Sequence, residues 1–130
     1  MESSSTSCGD SPRPEPDLAE PGLHAGELVV VDGPRAVAAE AARRLAAEIE
    51  RVIAAREWCF MGLPGGHFMG TVYDELTSYA LDWSQVEFYF TDERCVPPSH
   101  PASSYGEASD RLFTNPRIGA HQVHRIEAER

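Results

Sequence analysis

VEFYFTDERCVPP, residues 86–98, decides the fold. Val86, Phe88 and Phe90 fall on one side of an extended chain and Tyr89 on the other. Both faces are apolar, as in a parallel strand covered on both sides. The run then halts at Asp92, Glu93 and Arg94 and at the pair Pro97-Pro98, which cannot continue a ladder. A buried strand that ends in charge marks the place where the chain leaves a sheet.

The flanking segments alternate with it. Upstream, WCFMGL (58–63) reads as another buried strand. It runs into Pro64-Gly65-Gly66-His67 and then a helical pattern carried by Val72, Leu76, Tyr79 and Ala80. Earlier still, Leu28–Val31 in ELVVVDG is a β-branched run bounded by Asp32-Gly33, the signature of a first buried strand. The helix after it places Ala38, Ala41, Leu45, Ile49, Val52 and Ile53 on one stripe, with Asp32 as N-cap and Pro34 in the first turn. Downstream, SYGEASDRLF (104–113) sets Ser104 three residues before Glu107, a capping box that opens a helix and turns Leu112 and Phe113 to the core. VHRI (123–126) supplies a fourth strand. Strands alternating with helices predict a doubly wound, mainly parallel α/β sheet with right-handed crossovers.

Composition bounds the rest. A chain of 130 residues holds one modest domain. Residues 1–26, dense in Ser, Pro, Gly and acid, predict a disordered tail ahead of an α/β domain over 27–130. The formal charge of -10 disfavours nucleic acid and anionic membrane as partners. All 11 basic residues are Arg, which excludes Schiff-base and P-loop lysine chemistry. Cys8, Cys59 and Cys95 form no Cys-x-x-Cys pair, so neither a zinc site nor a disulfide framework is expected, and a reducing cytoplasm is the expected compartment. With no apolar run of about 18 residues, no membrane span is expected.

Ligands of open α/β sheets bind beyond the carboxyl ends of the strands. Two loops qualify, and they share an edge if their strands are neighbours. In the first, the amides of Gly65, Gly66 and His67 could face an anion with no Cβ in the way, although a plain tight turn explains the same glycines. In the second, Arg94 is a planar fork for phosphate or carboxylate and Asp92 a hydrogen-bond acceptor or general base; an ordinary surface turn with a Glu93–Arg94 pair is the alternative.

The succession GLPGGH (62–67), DWSQVEFYFTDERCVPPSHPASSYGEASDRLF (82–113) and QVHRI (122–126) resembles the glucosamine-6-phosphate isomerase/6-phosphogluconolactonase family. The most specific part runs from Trp83 to Pro97, followed by Ser103-x-Tyr105, and Arg94 favours the lactonase branch over the deaminases, which typically have an aromatic there. The resemblance implies a Rossmann-like α/β fold, of which this chain matches the N-terminal half. It also implies hydrolysis of 6-phosphoglucono-δ-lactone in the oxidative pentose phosphate pathway, with no metal or organic cofactor. By the same resemblance Gly65, Gly66 and His67 line the phosphate end, Glu93 and Arg94 bind substrate, and Asp92 sits near the ring as the catalytic candidate.

The chain also departs from the pattern. His67, Phe68 and Met69 follow the glycine pair where the family usually has a hydroxyl residue, and Ser104 replaces the usual Asn. The family's general-base histidine, in an Asp-Gly-His segment of the second half, has no counterpart here; His67 lies in the loop, but His24, His100, His121 and His124 have no orienting carboxylate at a recognisable spacing. A non-catalytic sugar-phosphate-binding module is therefore the alternative, as is an isomerase or deaminase of the same group. An open sheet edge predicts self-association or a complementing chain.

Overall fold

Alternating burial along two strands organises the molecule. The computed structural model describes residues 26–130, so the tail expected over 1–26 lies outside the described residues except for Gly26. Strand β1 (Cys59–Leu63) buries Cys59, Met61 and Leu63, and strand β2 (Val86–Phe90) buries Val86, Phe88 and Phe90. They pair in parallel with Leu63 opposite Phe90, and β3 (Val123–His124) pairs in parallel with the other side of β2. The order β1-β2-β3 is that of an α/β sheet. The VHRI segment expected as a strand contributes only its first two residues.

Why β3 lies beside β2 is visible in one buried amide. Gln122 donates from Nε2 to the carbonyls of Trp83 and Val86, at 2.6 and 2.7 Å, and its Oε1 accepts from the Gly119 amide at 2.7 Å. With its hydrogen-bonding groups partnered, the buried side chain fixes the start of β3 against the start of β2.

Helices α1 (Gly33–Arg56), α2 (His67–Leu76) and α3 (Ser104–Arg111) cover the buried face. On α1 the line of contact is Ala38, Ala42, Ala46 and Ile49, while the expected Ala41, Leu45, Val52 and Ile53 sit on its flanks, half-buried. Alanine allows close approach to α2, so the small residues take the centre and the larger ones the margins. Asp32 occupies the N-cap position and Pro34 the first turn, as expected, although the Asp32 side chain makes no capping bond. Helix α2 ends before Tyr79 and Ala80, and Tyr73 takes a core position instead. Full burial of Phe88 alone contributes about 2 kcal/mol.

Two expectations fail, for related reasons. Leu28–Val31 forms no strand: Leu28 is 86% exposed, and the segment has no ladder partner among the described residues, held near α1 by a Glu27–Arg44 pair at 3.3 Å. A β-branched run signals fitness for a pleated surface but does not select the neighbour that would complete one. The second failure concerns β2, which is not covered on both sides. Phe60 is 68% exposed and Tyr89 43%, and with His124 they make an aromatic row on a bare face. On that face His124 Nε2 lies 2.6 Å from Glu87 Oε2, a carboxylate partner that sequence spacing had not disclosed.

Candidate functional site

Parallel pairing of β1 and β2 brings both predicted loops to one edge. The Thr91 amide donates to the Leu63 carbonyl at 3.0 Å, which ties the exits of the two strands together. Tyr73 then reaches from α2 to donate to the Pro64 carbonyl at 3.1 Å. Burial first, and the charge of Glu107 second, push that phenol up to about 12, so it remains a donor at any physiological pH. The glycine bend that follows is clamped from both sides.

At the bend Gly66 adopts φ of 115°, a conformation L side chains rarely take, and it is the N-cap of α2. It offers no side-chain acceptor to the first amides of the helix, and the first turn has no acidic residue. The positive end of α2 is therefore open toward the strand ends. Gly65 is a close approach: a β-carbon there would lie 2.5 Å from Ser104 Oγ, 3.4 Å from Arg94 Nη1 and 3.6 Å from Asp92 Oδ1. Gly66, His67, Arg94, Ser103, Ser104 and Glu107 border a cavity of about 170 Å³ at this point.

The three charges that open the second loop divide into two roles. Arg94 Nη1 pairs with Asp92 Oδ2 at 3.1 Å, both half-exposed, so the guanidinium is held by one screened ion pair and can be drawn to a stronger anion. Glu93, expected among the substrate-binding residues, does not line this cavity. Its carboxylate accepts from the amides of Ser104 (2.7 Å), Tyr105 (2.9 Å) and Arg94 (2.8 Å) and from the Ser103 hydroxyl (3.0 Å). Burial works against its ionisation, but the amides of Tyr105, Ser104 and Arg94 outweigh it and hold the carboxyl below its usual range. Glu93 is an anchor for α3.

Ser103, not Ser104, is the N-cap of α3, with Oγ accepting from the Gly106 amide at 3.0 Å. The expected capping box is therefore displaced by one residue, because Glu93 from the preceding loop does the work expected of Glu107. Glu107 pairs instead with Arg111 Nε at 2.9 Å, which offsets its charge at the cavity wall. Of the sequence-predicted residues, Gly66, His67 and Arg94 share the cavity, Gly65 lies beside Arg94 and Asp92 without bordering the cavity, and Glu93 turns inward. Ser104 and Tyr73 were not singled out for the site; the SSY step after the proline loop is the one local signal for the first, and nothing in the spacing signals the second.

Among the described residues, no group of three or more His, Cys, Asp or Glu is placed to hold a metal, and no helix is long and apolar enough to cross a membrane. A separate apolar groove of about 610 Å³ lies between α1 and β1, lined by Leu45, Ile49, Val52, Trp58 and Phe60. It adjoins the bare sheet face and gathers few polar groups, so it belongs to packing and not to chemistry.

The described arrangement has relatives. The model of the family Glucosamine-6-phosphate isomerases/6-phosphogluconolactonase matches residues 32–130. A 6-phosphogluconolactonase of Haemophilus influenzae is 43% identical over 49 residues, covering 38% of this chain and 21% of its own length. One of Mycobacterium leprae is 34% identical over 90 residues, covering 68% and 36%. In fold, the crystal structure of 6-phosphogluconolactonase from Thermotoga maritima superposes with a TM-score of 0.70 at 23% identity, over 78% of this chain and 45% of that one. The chain thus spans less than half the length of these relatives.

Proposed function

The chain belongs to the glucosamine-6-phosphate isomerase/6-phosphogluconolactonase family, and from that premise we propose that it carries the phosphate-binding part of a 6-phosphogluconolactonase. The whole site hydrolyses 6-phosphoglucono-δ-lactone to 6-phosphogluconate in the oxidative pentose phosphate pathway, in the cytoplasm. Residues 27–130 form one partial α/β domain of that enzyme. The observation that carries this reading is the meeting of Arg94 with the Gly65-Gly66 bend at an uncapped helix start.

In the reaction, water adds to the lactone carbonyl, the ring C–O bond breaks, the ring oxygen takes a proton, and the new carboxylic acid releases one. Arg94 and the amides at Gly66 and His67 hold the phosphate and so fix the remote end of the substrate. Asp92, beside Arg94, faces the sugar and accepts a proton or a hydroxyl hydrogen bond. Glu93 positions this set by holding the start of α3 to the loop. The aromatic row Phe60–Tyr89–His124 is where a complementing segment or chain covers the sheet.

Acid release from fresh lactone, measured against its spontaneous hydrolysis, tests the activity; a rate no greater than the spontaneous one refutes it. The second reading, a sugar-phosphate-binding module without catalysis, is favoured by one observation: His67, exposed at the helix start, is the one histidine bordering the 170 Å³ cavity, and no carboxylate is bonded to it among the described residues. Binding of 6-phosphogluconate without turnover would select that reading.

A further inference from the structure

Three buried side-chain polar atoms among the described residues lack a hydrogen-bond partner: Trp83 Nε1, Ser104 Oγ and Ser109 Oγ. Ser104 is the one of the three that borders the cavity at the start of α2. The residue is only 5% exposed. Its amide is already satisfied by Glu93, so the unused capacity resides in the side chain alone. Buried hydroxyls are normally partnered, and one left bare in a site asks for a ligand.

The surroundings say which kind. Ser104 Oγ faces the α-carbon of Gly65, on the same side as Arg94 Nη1 and Asp92 Oδ1. Asp92 and Arg94 satisfy each other at 3.1 Å, which leaves the hydroxyl as the odd member of the three. A guanidinium from the β2 loop and a hydroxyl from the start of α3 therefore lie beside the same glycine bend, and both residues border one cavity with the first residues of α2. A planar carboxylate has two oxygens to receive them, whereas a phosphate monoester has three.

We infer that Ser104 is a phosphate ligand: when Arg94 leaves Asp92 for the phosphate of a phosphorylated sugar, the Ser104 hydroxyl donates to a second oxygen of the same group. This rests on the anion site proposed above and adds a specificity-determining residue to it. Ser104 stands where the family usually has Asn, so this chain has a hydroxyl at a position that otherwise carries an amide.

The test is titration of the full chain with inorganic phosphate, 6-phosphogluconate and gluconate, for the unmodified protein, Ser104→Ala and Arg94→Ala. The expected result is that Ser104→Ala binds both phosphate-bearing ligands about tenfold more weakly, with gluconate unaffected. Its melting temperature without ligand should be equal or higher, since an unpartnered buried hydroxyl is gone. If Ser104→Ala binds phosphate as the unmodified chain does while Arg94→Ala does not, the role of Ser104 is overturned and the anion site stands. If the unmodified chain binds neither phosphate nor 6-phosphogluconate, both are overturned. Should Ser104→Ala fail to fold, amide shifts of the unmodified chain decide: phosphate must move the Ser104 resonance together with that of Gly66, and a stationary Ser104 refutes the assignment.

Discussion

Helices α2 and α3 both begin at the small cavity, and they begin in opposite ways. At α3 the Ser103 hydroxyl and the Glu93 carboxylate take up the leading amides, and Glu107 adds an acid in the first turn. At α2 a glycine stands at the cap, no side chain caps the helix, and its own first turn carries no acid. The first is a finished joint that holds the charged loop in place. The second is left open and is the receptor proposed above for an anion. Two adjacent charges of one loop serve these separate ends, Glu93 the joint and Arg94 the receptor.

The contrast is most easily broken at the joint. Glu93→Ala removes the acceptor of four hydrogen bonds and should destabilise the fold by about 3 kcal/mol, read by urea or thermal unfolding. Equal stability of variant and parent would show that the joint is not anchored there. The sign with pH follows from its lowered carboxyl. Stabilisation is complete above the unfolded value and fades as pH falls through the lower folded one, and Glu93→Gln should remove that portion of the acid loss.

Next in size is the close approach itself. Gly65→Ala places a methyl 2.5 Å from Ser104 Oγ and should be destabilising by about 2 kcal/mol, with partial relief in the double variant carrying Ser104→Gly. Additive effects of the two changes would mean that the glycine bend and α3 do not touch at this point.

At the receptor, Arg94→Ala should weaken 6-phosphogluconate about tenfold, some 1.4 kcal/mol, and leave unfolding within about 0.5 kcal/mol of the parent. Calorimetric titration and a melt on the same samples check both halves. A large loss of stability with unchanged binding would exchange the roles assigned to the two loop charges. The smallest effect is expected at Tyr73→Phe, which removes the bond to the Pro64 carbonyl and should be destabilising by about 1 kcal/mol, measured in the same melt.

Much of this was legible from spacing. The short apolar runs WCFMGL and VEFYF and the apolar period of the first helix identify elements, because both signals are local. Two strands that end in glycine and in charge also disclose that both loops leave a sheet. The adjacency of Gly65 and Arg94 required one thing more, that the strands be neighbours, and the parallel register of β1 and β2 supplied it. The same reading mistook Leu28–Val31 for a sheet strand and Tyr89 for a covered side chain, since neither composition nor period specifies what lies opposite.

By itself, then, the sequence determined two of the strands and the three helices, and where charge meets the end of the sheet. Tertiary structure alone decided that Glu93 turns inward to α3, that Ser104 is buried bare against Gly65, and that Phe60 and Tyr89 on one face of the sheet are exposed among the described residues. The reason is physical. A side chain's conformational preference is set by its immediate neighbours in the chain, but its hydrogen-bond partner is whatever the packing of distant elements brings within about 3 Å.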